Sequence, residues 1–157
     1  MTDSPLPVNF TKLAQRFLDG IKQCVALQLQ MVDATDKGAT LLMPYSDFIV
    51  GNTETGAVHG GAITSLMDQV CGMAVVCALA PQFEITPTID LRIDHLRQSV
   101  AGQPIYAFAE AYRITKSVVF CRGVAWQNDK NEPLAHCSGT FMRMGLTNVP
   151  WKLRGSE

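Results

Sequence analysis

From Thr55 to Phe83 the chain carries a single formal charge, Asp68. A stretch so poor in polar groups has to be covered on nearly every side, so the remainder of the chain must fold around it. Ile63, Leu66, Met67, Val70, Ala74 and Ala78 share one face at helical spacing, and beyond Asp68 the opposite face, with Val75 and Val76, is apolar too. The spacing predicts a buried helix over residues 60–79. Asp68 is then an anomaly, because taking a carboxylate out of water costs several kcal/mol unless something holds it.

The flanks predict what does the covering. Phe10, Leu13, Ala14, Phe17, Leu18 and Ile21 have amphipathic-helix spacing, with Asn9 or Thr11 as cap. Strands are expected around Val25–Ala34 and Ala39–Pro44, joined by an Asp36-Lys37-Gly38 turn. A polar loop, Gly51 to Gly56, leads to the apolar helix. After it, Ile89, Leu91 and Ile93 alternate with Asp90, Arg92 and Asp94. Pro104–Thr115, Ser117–Gln127 and Pro133–Met144 give three more strands. Strands in succession with one central helix imply an α+β fold, an antiparallel sheet wrapped around that helix. The expected division is an N-terminal helical extension over 1–24, one domain over 25–146 and a tail over 147–157.

Charged residues make up only 17% of the chain, below the roughly 25% of ordinary soluble domains, which suggests that another subunit covers part of the surface. A net charge of -1 gives no field to draw nucleic acid or an anionic membrane. The five cysteines are scattered through apolar segments with no Cys-x-x-Cys pair, and the three histidines lie far apart. Reduced core thiols are expected, with no disulfide scaffold and no metal site. The N-terminus lacks the pattern of a secretory signal, and the longest apolar run, Val70 to Ala80, is too short to span a bilayer. A cytoplasmic protein is expected.

Gly60 and Gly61 open the predicted helix, where the first N–H groups lack intrahelical partners and the dipole is positive. Without side chains, they let a carbonyl gathering negative charge reach the backbone, as in an oxyanion hole. Alternatively, they merely allow loop and sheet to pack closely. His59 either caps the helix and shapes the loop or moves a proton. Asp68 lies about 12 Å along the axis from Gly60, too far for both to grip the same two atoms. A helix start supplied by a second subunit across a two-fold interface removes the difficulty; otherwise Asp68 is an interface residue bonded to a partner's backbone.

The run Asn52-Thr-Glu-Thr-Gly56-Ala-Val-His59-Gly60-Gly61-Ala-Ile-Thr-Ser-Leu66-Met-Asp68 resembles the signature of hotdog-fold acyl-CoA thioesterases of the PaaI-like branch. Thr88-Ile-Asp-Leu-Arg-Ile-Asp-His-Leu-Arg97 is similar to that family's strand after the central helix, and the likeness runs from about residue 25 to 144. The resemblance implies a hotdog fold, dimers joined edge to edge and often paired into tetramers, and an acyl-CoA substrate with no separate cofactor, coenzyme A being part of that substrate. It implies that the Gly60 N–H polarises the thioester carbonyl while Asp68 of the other subunit attacks it or activates water. His59 would shape the loop, and Thr88 would place the water or the carboxylate. Related sequences often carry asparagine six residues before the histidine. Thr53 stands there in this chain, so Asn52, seven before, is the nearest equivalent.

Gly61, Arg97, Arg113, Lys116 and Ser117 are the candidate substrate-binding residues, the cations for the phosphates of coenzyme A; Arg122 is a further cation. Ordinary surface charge is the competing explanation for the basic ones. Val70, Met73, Phe48 and Phe83 are candidate acyl-pocket residues that would equally suit a core. A non-catalytic acyl-CoA-binding module and a hotdog hydratase or dehydratase pairing His59 with Asp68 are the alternatives to hydrolysis.

Overall fold

The computed structural model describes residues 9–145 apart from Phe83, so the expected tail and the proposed lining role of Phe83 lie outside the described residues. In chain order come α1 (Phe10–Gly20), α2 (Lys22–Ala26), β1 (Gln30–Thr35) and β2 (Gly38–Met43). A 3-10 turn (Asp47–Ile49) and the small hairpin β3 (Val50–Asn52) and β4 (Ala57–Val58) lead into α3 (Gly60–Leu79). The chain continues through β5 (Thr88–His95), β6 (Ile105–Ile114), β7 (Val118–Trp126) and β8 (Ala135–Met142). The large sheet has the order β1-β2-β6-β7-β8-β5, every pairing antiparallel. It wraps α3, and this is the hotdog arrangement.

α3 has the length and apolar composition of a membrane-crossing helix. Its side chains instead build the core: Leu66, Met67, Val70, Cys71 and Val75 are fully buried, packed with Leu41, Ile105, Val119 and Phe141 from the sheet. α1 forms as its periodicity requires, capped by Asn9, whose Oδ1 accepts from the Lys12 amide at 2.9 Å. It buries Ala14 and Leu18.

Two expectations need correction. The strand expected from Val25 begins only at Gln30, because residues 22–26 close into α2. Gln28 then takes a left-handed φ of 55° and turns the chain into the sheet. The apolar run around Val25 and Leu27 fits a short helix as well as a strand, and periodicity cannot separate the two. The boundary drawn between 24 and 25 falls inside this helix.

The second correction concerns Ile89, expected inside with Leu91 and Ile93 but 51% exposed. The register between β5 and β8 slips between Thr88 and Asp90, a bulge in an otherwise regular ladder. The extra residue reverses the facing of everything before it. Thr88 therefore stands opposite buried Phe141, on the helix side of the sheet, although strict alternation places it outside with Asp90 and Arg92.

Behind the start of β5, Glu84 is buried and receives both the Nε and an Nη of Arg143. Arg143 also donates to the Thr115 carbonyl at 3.0 Å, tying the approach to β5 to the β6–β7 turn. Hydrogen bonds from Arg143 hold the Glu84 carboxyl below the ordinary glutamate range, against the opposing effect of burial. Glu84→Ala leaves the guanidinium without its partner and should destabilise the fold by about 3 kcal/mol in denaturant titration. A depressed folded pKa contributes stability that is complete above the unfolded value and lost as pH falls through the folded one. Wild type should therefore lose more stability than Glu84→Gln between about pH 5 and pH 3.

Candidate active site

The start of α3 is held by its own N-cap. The His59 amide donates to the Ile49 carbonyl at 2.8 Å, and its Nδ1 accepts from the Gly61 N–H at 2.9 Å. Of the two roles left open for His59, the capping one is realised. Gly51 gives this loop room: a Cβ there would lie 2.7 Å from the His59 Cα.

The two helix-start glycines differ. A Cβ on Gly61 would fall 2.9 Å from His59 Nδ1, so Gly61 is glycine to make room for the capping ring. A Cβ on Gly60 would meet only the edge of the His95 ring, at 3.5 and 3.6 Å, an ordinary contact. Close packing within the chain does not require glycine at 60. Among the described residues nothing accepts from the Gly60 N–H. That amide is free for a carbonyl oxygen.

His95 was not among the expected site residues, yet its imidazole stands beside Gly60. It is remote in sequence from the helix start. A signal did exist, since Leu91, Ile93 and His95 share the inner side of β5 by simple alternation.

Further along α3, Asp68 is half-buried and its Oδ1 accepts from the Thr88 hydroxyl at 2.8 Å. The bulge in β5 makes this contact possible. Within one chain the site thus comes in two halves: Gly60, His59 and His95 at the helix start, and Asp68 with Thr88 about 12 Å further along the axis. β5 runs between them, its first residue at one half and its last at the other.

Asn52 belongs to neither half. Its Oδ1 accepts from the Glu54 and Thr55 amides at 2.9 and 3.2 Å, closing the β3–β4 turn. Arg97 follows the His95 end of β5 and pairs with Glu132 at 3.5 Å. Lys116 and Ser117 are exposed at the other end, where the Ser117 carbonyl accepts from the Arg143 amide next to the strand carrying Phe141, opposite Thr88. Arg113 pairs in register with Phe120, whose side alternates with buried Val119 and Cys121, so it lies on the outer side of the sheet, away from α3. Arg122 pairs with Glu110 at 2.7 Å and stacks on Tyr112.

Val70 and Met73 are in the core rather than along an open cleft, whereas Phe48 is 74% exposed. Phe48 lies on the rim of a depression of about 250 Å³ beside His59 and Gly61, whose other walls include Gln23, Leu27 and Ala62. All five cysteines are free and buried. Burial pushes the Cys121 thiol up to about 12, and Cys24 and Cys77 up to about 11, so these are protonated packing groups rather than nucleophiles.

The sequence model of the thioesterase superfamily matches residues 55–134, just over half of the chain and the part holding both halves of the site. This protein belongs to the thioesterase superfamily. The medium/long-chain acyl-CoA thioesterase YigI of Escherichia coli is 26% identical over 129 residues, covering 74% of this chain and 82% of that protein. A crystal structure from Pseudomonas aeruginosa shares 50% identity at a TM-score of 0.78, over 86% of this chain and 99% of that one. The phenylacetic acid degradation protein PaaI of Thermus thermophilus shares the fold at 19% identity, with a TM-score of 0.68 over 79% of this chain and all of its own.

In this member of the thioesterase superfamily the contrast between the glycines is directly testable. Gly60→Ala should melt at or above the wild-type temperature, since alanine is the better helix former and fits against His95. Gly61→Ala displaces the His59 cap and should lose about 1 kcal/mol. Thermal denaturation of the two variants checks both.

Proposed function

We propose that this protein is an acyl-CoA thioesterase that hydrolyses its substrate to a free acid and coenzyme A, at a site shared by two copies of the chain. The observation that carries this is the Gly60 N–H. It is free at a positive helix start, on a residue whose own surroundings do not require glycine. A thioester carbonyl placed there would be polarised as its oxygen gathers charge. Asp68, oriented by Thr88, either attacks the carbonyl carbon or takes a proton from the attacking water.

Sharing the site follows from the separation of its halves. β5 closes one edge of the sheet and has no neighbour on its far side among the described residues. Pairing β5 antiparallel with the β5 of a second copy brings the Thr88 end of each strand to the His95 end of the other, and so Asp68 of one chain towards Gly60 of its mate. The strand's charges favour a particular register. A two-fold axis at Leu91 sets Asp90 opposite Arg92 of the second copy, whereas an axis at Arg92 sets that arginine against itself. The same pairing carries Lys116 and Ser117 of one copy towards Arg97 of the other, a cationic rim suited to the phosphates of coenzyme A.

Asp68→Asn should lower kcat by about 100-fold with the fold intact, measured as thiol release from acyl-CoA. Unchanged hydrolysis would end the catalytic assignment. Sharing has its own test: Asp68→Ala and Gly60→Val chains, each inactive alone, are unfolded together and refolded as a mixture. Half the dimers should then be mixed, each with one intact site, and activity should return to about a quarter of wild type. No recovery would place both halves of the site in one chain.

A further inference from the structure

We infer that α2, a helix outside the family match, sets the length of the acyl group this protein accepts. The inference rests on the thioesterase reading of the same site. The depression beside His59 and Gly61 measures about 250 Å³, below the roughly 300–1,000 Å³ of pockets that enclose a whole drug-sized ligand. It therefore takes one limb of a substrate whose carbonyl lies at the helix start. No Asp, Glu, Lys or Arg lines it, and Leu27, Phe48, Ile49, Val50 and Ala62 share its wall with Gln23, His59, Gly61 and Ser65. With no cation in its wall it has no charged partner for a phosphate, and its apolar side chains suit an uncharged acyl group.

Gln23 and Leu27 stand four residues apart on one side of α2 and its end, and both face this space. The helix is fixed where it lies. Leu27 is buried, and the Cys24 thiol, also buried, meets Gln69 Oε1 of α3 at 3.0 Å, one residue from Asp68. α2 is thus a wall anchored to the catalytic helix, and an acyl chain running away from Gly61 stops against Gln23 and Leu27. Phe48, left largely exposed at the rim, is the apolar surface that a longer chain would cover.

The test compares acetyl-, butyryl-, octanoyl- and lauroyl-CoA with the full-length protein. Gln23→Trp, a change at an exposed position, fills the depression. It should lower the ratio of octanoyl to acetyl kcat/KM about tenfold, the effect of no longer burying two methylenes. Leu27→Ala removes the end wall and should raise the lauroyl to octanoyl ratio, with a melting curve to confirm folding. Ratios unchanged in folded Gln23→Trp would overturn the inference. Binding of the same acyl series as non-hydrolysable thioether analogues, followed by calorimetry, reads the pocket without turnover. Chain-length discrimination lost in Gln23→Trp with no wild-type hydrolysis would support the pocket and refute the thioesterase reading. Hydrolysis with chain-independent binding would do the reverse.

Discussion

Burial of α3 is the constraint from which the other features follow. A helix apolar on nearly all sides cannot be covered by one flat layer, so the sheet has to curve around it. The six strands bring Leu41, Ile105, Val119 and Phe141 onto the helix, and α1 and α2 close the side that the strands leave open. Once α3 is enclosed, its polar exceptions can lie only where the covering is thin. Asp68 sits against the edge strand β5, and Gly60 and His59 sit at the mouth of the wrap. The site lies where the core helix meets the end of its cover.

The edge strand beside Asp68 faces two ways at once. Its backbone invites another strand, while its alternating Asp90, Arg92 and Asp94 discourage indiscriminate pairing. Because those charges alternate in sign, they penalise some partners and registers and favour others, as a self-complementary edge requires. The bulge at the start of the same strand turns Thr88 inward to hold Asp68. One slip of register therefore links sheet geometry to the orientation of the carboxylate.

The sequence made α3 legible almost to the residue, because a long apolar helix with glycines at its start and one charge inside has no competing interpretation. The capping roles of Asn9 and His59 and the contact between Thr88 and Asp68 were also within reach. What stayed hidden depended on relations that local pattern does not carry. α2 and a strand both satisfy the apolar run around Val25, and the choice between them comes from packing against α3. Ile89 follows the alternation of its strand until a bulge, invisible in single-residue preferences, expels it. His95 reaches Gly60 only because β5 runs from beside Asp68 back to the helix start. Arg113 and Asn52 had suitable chemistry but are taken up elsewhere, one by the outer side of the sheet and the other by its own turn.

The position of Asp68 also changes how the cost of its burial should be understood. In a single chain the carboxylate is only half-buried and keeps a hydroxyl partner, so folding alone imposes little of the desolvation that a core position implies. The larger part would fall due only on covering by a second strand edge and a bound thioester, as the proposed shared site requires. A carboxylate stripped of water at that moment loses solvation that a nearby electrophilic carbon and the positive helix start can replace. A carboxylate sealed in a core demands a permanent partner of its own to offset the lost water. Half exposure in the free chain leaves the carboxylate open to a partner besides Thr88, which a place sealed in the core would not.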